Sequence, residues 1–257
     1  MLNFKNTNIL FIALLISVIG YNTIYSVPFI IYASLIATYS LIIFYGCYFI
    51  SSGFFINVIC SAKTNEKEIA ISFDDGPATN YTAEILKILK ASNTKAVFFC
   101  IGNRIAGKEK IFEQLHKEGH LIGNHSYSHH FWFDMFSSKK MLADLKMMDT
   151  VMEKTIGLRP RLFRPPYGVI NPNLRKTIIN GNYIPIGWSV RSMDTIIRDE
   201  KKLLNKITKS LRAGAIFLFH DTSQTTLAIL PIFIRHATQR GYKIVRLDKM
   251  VNLQAYE

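Results

Sequence analysis

Ile69-Ala70-Ile71-Ser72-Phe73-Asp74-Asp75-Gly76-Pro77 decides the fold class. An apolar run over 69–73 reads as a buried strand, and two adjacent carboxylates follow it where the chain leaves the sheet. Gly-Pro then turns the chain. Chemistry at the carboxyl end of a strand is the habit of open and closed α/β folds. A surface turn rich in Asp and Gly is the bland alternative for this stretch alone.

Outward from it, strand-like runs at 95–100, 121–123, 161–163, 183–189, 215–219 and 242–247 alternate with helical patterns at 81–90, 109–118, 138–156, 173–180, 200–212 and 225–240. This alternation without a linker predicts one parallel α/β domain. Roughly seven strands and no glycine-rich phosphate loop favour a distorted, incomplete (β/α)7-8 barrel over a doubly wound dinucleotide fold.

The chain before residue 63 has a different composition. No charged residue occurs between Lys5 and Lys63, and the stretches 8–19 and 28–50 are apolar or aromatic almost throughout. About 20 such residues cross a bilayer. The division expected is 1–62, a membrane anchor forming a transmembrane helical hairpin, and 63–257, the α/β domain. A signal peptide is the competing reading of the first stretch, and buried core helices compete for both. A hairpin puts the N-terminus and the α/β domain on the same side of the membrane, and the flanking charges do not choose that side.

The 257-residue chain has 31 Lys and Arg against 18 Asp and Glu, a formal charge of +13. The excess suits anionic surfaces, with membrane lipid the simplest partner beside an anchor. No zinc-finger spacing, helix-turn-helix signal or basic-aromatic motif supports nucleic acid. Cys47, Cys60 and Cys100 suggest no disulfide framework, and nothing sets an oligomeric state.

Three further constellations follow strands. Gly123-Asn124-His125-Ser126-Tyr127-Ser128-His129 puts two histidines at i and i+4, able to converge on one ion. With a carboxylate they match a zinc site that keeps a position open for water. His130, His116 and His120 read as exposed or structural. Phe163-Arg164-Pro165-Pro166-Tyr167-Gly168 is a stiff loop whose Arg164 can bridge a carboxylate and whose backbone N–H can face an oxyanion. Leu218-Phe219-His220-Asp221 delivers a histidine to a strand end, as a general acid requires.

Asp-Asp-Gly, His-Ser-x-x-His, Arg-Pro-Pro-Tyr-Gly and Leu-x-His, in this order and spacing, resemble the polysaccharide deacetylase family of chitin, chitooligosaccharide and peptidoglycan N-acetylglucosamine deacetylases. The resemblance spans about 67–247. It implies a divalent metal, most often Zn2+, an N-acetylated glycan as substrate, and acetate release. It implies Asp74 as general base, oriented by Arg164, and Asp75, His125 and His129 as metal ligands. Tyr167 would hold the oxyanion through its N–H, and His220, tuned by Asp194, would be the general acid. Leu218 would line the acyl pocket, with Tyr167 and Trp188 as further substrate contacts. One motif departs: where the family often has two aspartates three apart followed by tryptophan, this chain has Arg191, Asp194 and Thr195. A related amidase or O-acetyl esterase, or a glycan-binding protein without catalysis, would share most of these features.

Overall fold

The computed structural model describes residues 2–257. Helices α1 (Phe4–Asn22) and α2 (Phe29–Tyr48) come first. Then follow β1 (Glu68–Gly76), α3 (Tyr81–Ala91), β2 (Val97–Cys100), α4 (Glu109–Lys117), β3 (Leu121–Asn124), α5 (Ser138–Ile156), β4 (Leu162–Phe163), α6 (Pro172–Gly181) and β5 (Ile184–Pro185). The chain continues through β6 (Val190–Arg191), α7 (Glu200–Lys209), β7 (Ile216–His220), α8 (Gln224–Gln239), β8 (Lys243–Ile244) and α9 (Leu247–Met250).

All strand pairs are parallel, in the order β5-β4-β3-β2-β1-β7-β6, with β8 against the start of β1. This is the incomplete barrel expected, of seven strands with helices outside. Its central strands are buried on both faces, which is why they read as continuous apolar runs. Phe73, Phe98, Phe217, Phe219 and Phe233 pack into one cluster between the sheet and the helices.

One element differs from expectation. The run 183–189 is not a single strand. Pro185 has no N–H to extend the ladder, and the chain leaves β5 at one edge of the sheet and enters β6 at the other. Residues 186–189 thus cross the gap in the barrel. The approach to β1 helps close that gap from the side. Ile59 donates its N–H to Pro185 O and accepts from Gly187 N, and Ala62 N–H bonds Gly214 O. Gly187 permits this approach, because a Cβ there would stand 2.6 Å from Cys60 Sγ.

Helices α1 and α2 are long and apolar enough to cross a membrane, and only 6% of each apolar window is buried. The turn between them falls at 23–28, as the sequence suggests. Helix α1 starts at Phe4, earlier than the apolar run predicts, because Asn3 caps it by accepting from Asn6 N–H at 2.9 Å.

Candidate active site

Parallel register decides which side chains meet. Asp74 is level with Phe99 of β2 and with His220 of β7, and Asn124 is level with Phe163 of β4. The next residues, Asp75, His125 and Arg164, therefore leave the sheet on the same rim. Asp75 and His125 line a pocket of about 170 Å³ with Asp74, His129, Pro165, Tyr167, Trp188, Leu218 and His220. Of the residues singled out from the sequence, Asp194 and Arg164 stand behind this lining and the others form it.

Adjacent strand residues normally face opposite ways. Here a bulge between Asp74 and Gly76 shifts the register, and Asp75 adopts φ +76°. Both carboxylates reach the pocket as a result. Non-glycine residues rarely take this conformation, at a cost of order 1–3 kcal/mol. Ser126 (φ +67°), His129 (φ +44°) and Tyr167 (φ +58°) share it, so backbone strain gathers around one site.

Asp75 Oδ1 lies 3.7 Å from His125 Nε2 and 3.4 Å from His129 Nε2. Two donors each about 2 Å from a tetrahedral ion stand about 3.3 Å apart, so the three fit one small divalent cation. Their protonation fits as well. His125 Nδ1 lies 2.8 Å from Arg164 O. As the donor there, it leaves the Nε2 lone pair free. Burial and the neighbouring His125 outweigh Asp75 and lower the His129 pKa to about 4, so its imidazole is neutral at pH 7. No other group of three His, Cys, Asp or Glu donors converges among the described residues.

Asp74 stands beside this trio on a buried cation. Arg164 Nη1 donates to Asp74 Oδ1 and to Ser72 Oγ, both at 2.7 Å. Its Nε and Nη2 donate to Ile186 O at 3.2 Å and Gly187 O at 2.7 Å, the carbonyls of the crossing segment. The guanidinium carbon lies 4.2 Å from the Phe99 ring centroid. Arg164 is fully buried, so its charge is fixed where Asp74 needs it.

Across the pocket, His220 Nδ1 pairs with Asp194 Oδ1 at 2.8 Å, and His220 N–H donates to Asp194 Oδ2 at 2.7 Å. Ser192 Oγ and Thr226 Oγ1 donate to the same carboxylate. Burial alone would lower the His220 pKa, but the hydrogen bond and charge of Asp194, with Asp74 and Asp75 beyond, outweigh it and raise it. Burial presses Asp194 upward, and its bonds to His220 and Thr226 bring it below the ordinary carboxylate value.

The structure adds residues that sequence reasoning passed over. Ser72 links Arg164 to Phe217 O, to which its hydroxyl donates at 2.8 Å. Asp221 is fully buried beneath Gly76, accepts from Thr82 Oγ1 at 2.5 Å, and is pushed up to about 7 by burial and by the charges of Asp75 and Asp74. A Cβ on Gly76 would lie 2.1 Å from Asp221 Oδ2, so only glycine fits after the Asp pair. The Leu-x-His-Asp string held a signal for Asp221. Nothing in the string marks Ser72 or Thr226. Of the histidines read as structural, His120 is buried and accepts from Ala96 N–H, and His130 is exposed.

Comparison with known proteins gives this rim a family. A model described as polysaccharide deacetylase matches residues 61–183, ending before Trp188, Asp194, Leu218 and His220. A peptidoglycan-N-acetylglucosamine deacetylase of Bacillus cereus is 34% identical over 200 residues, 76% of this chain and 92% of that protein. PgdA of Listeria monocytogenes, also a peptidoglycan-N-acetylglucosamine deacetylase, is 34% identical over 190 residues, 74% of this chain. The chain spans only 40% of that relative's length. The solved structure of peptidoglycan deacetylase PdaC from Bacillus subtilis superposes with TM-score 0.68 at 33% identity, covering 72% of this chain and 90% of that one. The chain belongs to the polysaccharide deacetylase family.

Proposed function

We propose that this chain is a membrane-anchored, metal-dependent hydrolase that removes N-acetyl groups from N-acetylglucosamine-type units of a glycan. Residues 1–62 are its anchor and 63–257 its catalytic domain. The observation that carries the reading is the convergence of a His/His/carboxylate trio, a braced free carboxylate and a raised-pKa histidine on one pocket from separate strand ends. Its curated relatives are named for the same deacetylation of peptidoglycan.

Asp75, His125 and His129 hold the divalent ion, and their mixed nitrogen and oxygen donors suit Zn2+. When bound, the ion supplies Lewis-acid polarisation of the acetamide carbonyl and a water of lowered pKa. Asp74 takes the proton of the attacking water, with Arg164 pairing with its carboxylate and aiming it. The Tyr167 N–H faces the developing oxyanion from a loop stiffened by Pro165 and Pro166. Leu218 and Trp188 wall the acyl group, and Tyr167 stacks beside the sugar. His220, held protonated by Asp194, gives its proton to the departing nitrogen. Water is thereby added across the amide, leaving acetate and a free amine.

Full-length chain in detergent is expected to release acetate from an N-acetylglucosamine oligomer, to lose activity with a chelator, and to regain it with added Zn2+. An Asp74→Asn variant should bind metal normally and turn over several hundredfold more slowly, in the range of general-base effects. Full activity in that variant would falsify the role given to Asp74.

A further inference from the structure

The two apolar helices do not trail from the barrel on a loose linker. They are fastened to the rim that carries the pocket. Ile170 N–H bonds Cys47 O at 3.1 Å, near the end of α2, and Phe4 N–H at the start of α1 bonds Phe54 O at 3.0 Å. The Phe54 ring lies where a Cβ on Gly46 would be, 2.2 Å from it, so α2 seats tightly on 50–55. Ile170 is three residues beyond Tyr167, whose ring centroid lies 4.9 Å from that of His129. Asn171 Nδ2 donates to Asp134 O at 2.7 Å and ties the segment after His130 to the same rim. The ends of the hairpin and the mouth of the pocket are thus neighbours.

The exposed apolar side chains agree. Among the described residues after 62, seven large hydrophobic side chains are exposed, and five of them lie on the chain segments that carry the pocket's His129, Tyr167 and Thr195. Phe131 (72% exposed), Trp132 (59%) and Met135 (76%) follow the second histidine, Tyr167 lines the pocket, and Ile196 follows Thr195 of its lining. An apolar cluster of this kind marks a contact surface, and Trp and Tyr favour the membrane–water interface. Two exposed arginines stand at the pocket. Arg104 donates to Asp75 O, and Arg191 is part of the lining. Both are placed for phosphate.

We propose that the pocket opens onto the surface of the bilayer that α1 and α2 span, with Phe131, Trp132 and Met135 seated at headgroup depth, and that the substrate is an N-acetylated saccharide carried on a membrane lipid through a phosphate. This rests on the deacetylase and membrane-anchor readings above. A lipid-borne substrate diffuses within the plane that holds the enzyme, which raises its effective concentration at the mouth.

The chain has two tryptophans, Trp132 and Trp188. Full-length protein in phosphatidylglycerol vesicles containing lipids brominated on the acyl chain is expected to show quenched tryptophan emission, and Trp132→Phe is expected to remove the quenched component. In the same vesicles, Phe131→Glu/Met135→Glu should slow deacetylation of an N-acetylglucosaminyl phospholipid by about tenfold, the equivalent of about 1.4 kcal/mol. Its rate on a soluble N-acetylglucosamine oligomer should stay within about twofold. Emission from Trp132 that bromine does not quench overturns the orientation. An equal fall on both substrates overturns the lipid-borne substrate and makes the patch a glycan platform. If wild-type protein hydrolyses neither, the deacetylase reading and the substrate class fall together, while quenching still decides the orientation.

Discussion

The two sides of the pocket use the same pair chemistry with the roles exchanged. On one side a carboxylate, Asp74, faces the pocket and a cation, Arg164, stands fully buried behind it. On the other a histidine, His220, faces the pocket and a carboxylate, Asp194, stands fully buried behind it. In the mechanism proposed above, the buried member of each pair carries the fixed charge and the outer member exchanges a proton. The difference is in the bracing. Arg164 is held by two backbone carbonyls, one hydroxyl and an aromatic face, whereas Asp194 is held by two hydroxyls and one backbone N–H. A charge bonded mainly to backbone should tolerate less change than one bonded to side chains that can rotate.

The largest effect is therefore expected at Arg164. Arg164→Ala leaves Asp74 as an uncompensated buried charge and empties a fully buried site. Breaking a buried pair in this way costs about 3–5 kcal/mol. Denaturant unfolding of the full chain in detergent should show that loss, together with no measurable acetate release. Adding Asp74→Asn to Arg164→Ala should recover part of the stability and none of the activity. A double variant no more stable than the single one would show that Arg164 acts through packing and not charge.

Next comes Asp194→Asn. His220 has a folded pKa raised above its ordinary value, so its acid form, and the stability its pairing gives, are full at low pH and are lost as pH rises through that pKa. Removing the Asp194 charge lowers the His220 pKa. The alkaline limb of the kcat/KM profile should move to lower pH, and the rate at pH 8 should fall about 100-fold, the lower end of general-acid effects. A profile that kept its limb and only fell in height would mean that Asp194 orients His220 without tuning it.

Asp221 tests whether a buried carboxylate behind the site must carry charge at all. Its folded pKa is pushed up to about 7. The native state therefore holds its proton above the pH at which the unfolded chain gives it up, and stability is lost as pH rises from about 4 through 7. Asp221→Asn removes that loss. Unfolding at pH 8 should show a gain of up to about 4 kcal/mol, closing below pH 4.

These pairs also show what a string of residues can carry. Asp74, Asp75, His125, Arg164 and His220 are legible because each stands at the end of a recognisable apolar run, and His129 by its i, i+4 spacing from His125. Parallel register then had to place them on one rim. The braces were less legible. Ser72 reads as an interior strand residue, and Thr226 belongs to a helix 32 residues from the carboxylate it serves. The stretch 183–189 reads as one strand because its apolar character is continuous, although residues 186–189 in fact cross from β5 to β6 at opposite edges of the sheet. The hairpin was legible from composition, but its seat beside the pocket depends on Gly46 and Ile170, which carry no pattern.

Arg191 gives the smallest effect and belongs to neither pair. It is exposed at the pocket edge, 5.9 Å from the Trp188 ring centroid. Lys206 donates to its carbonyl at 2.6 Å, and burial and the Arg191 charge lower the Lys206 pKa. Arg191 has no hydrogen bond to Asp74 or His220, the groups proposed to exchange protons, so its removal should leave kcat near the wild-type value. An exposed cation–π contact contributes about 0.5–1 kcal/mol. If that contact steadies Trp188 against the sugar, Arg191→Ala should raise KM for a neutral N-acetylglucosamine oligomer by about two- to fivefold, and Arg191→Lys should recover part of it. A fall in kcat at constant KM would instead place Arg191 on the acid side, where its positive charge would oppose protonation of His220, and would make the pocket's two halves less alike than their geometry suggests.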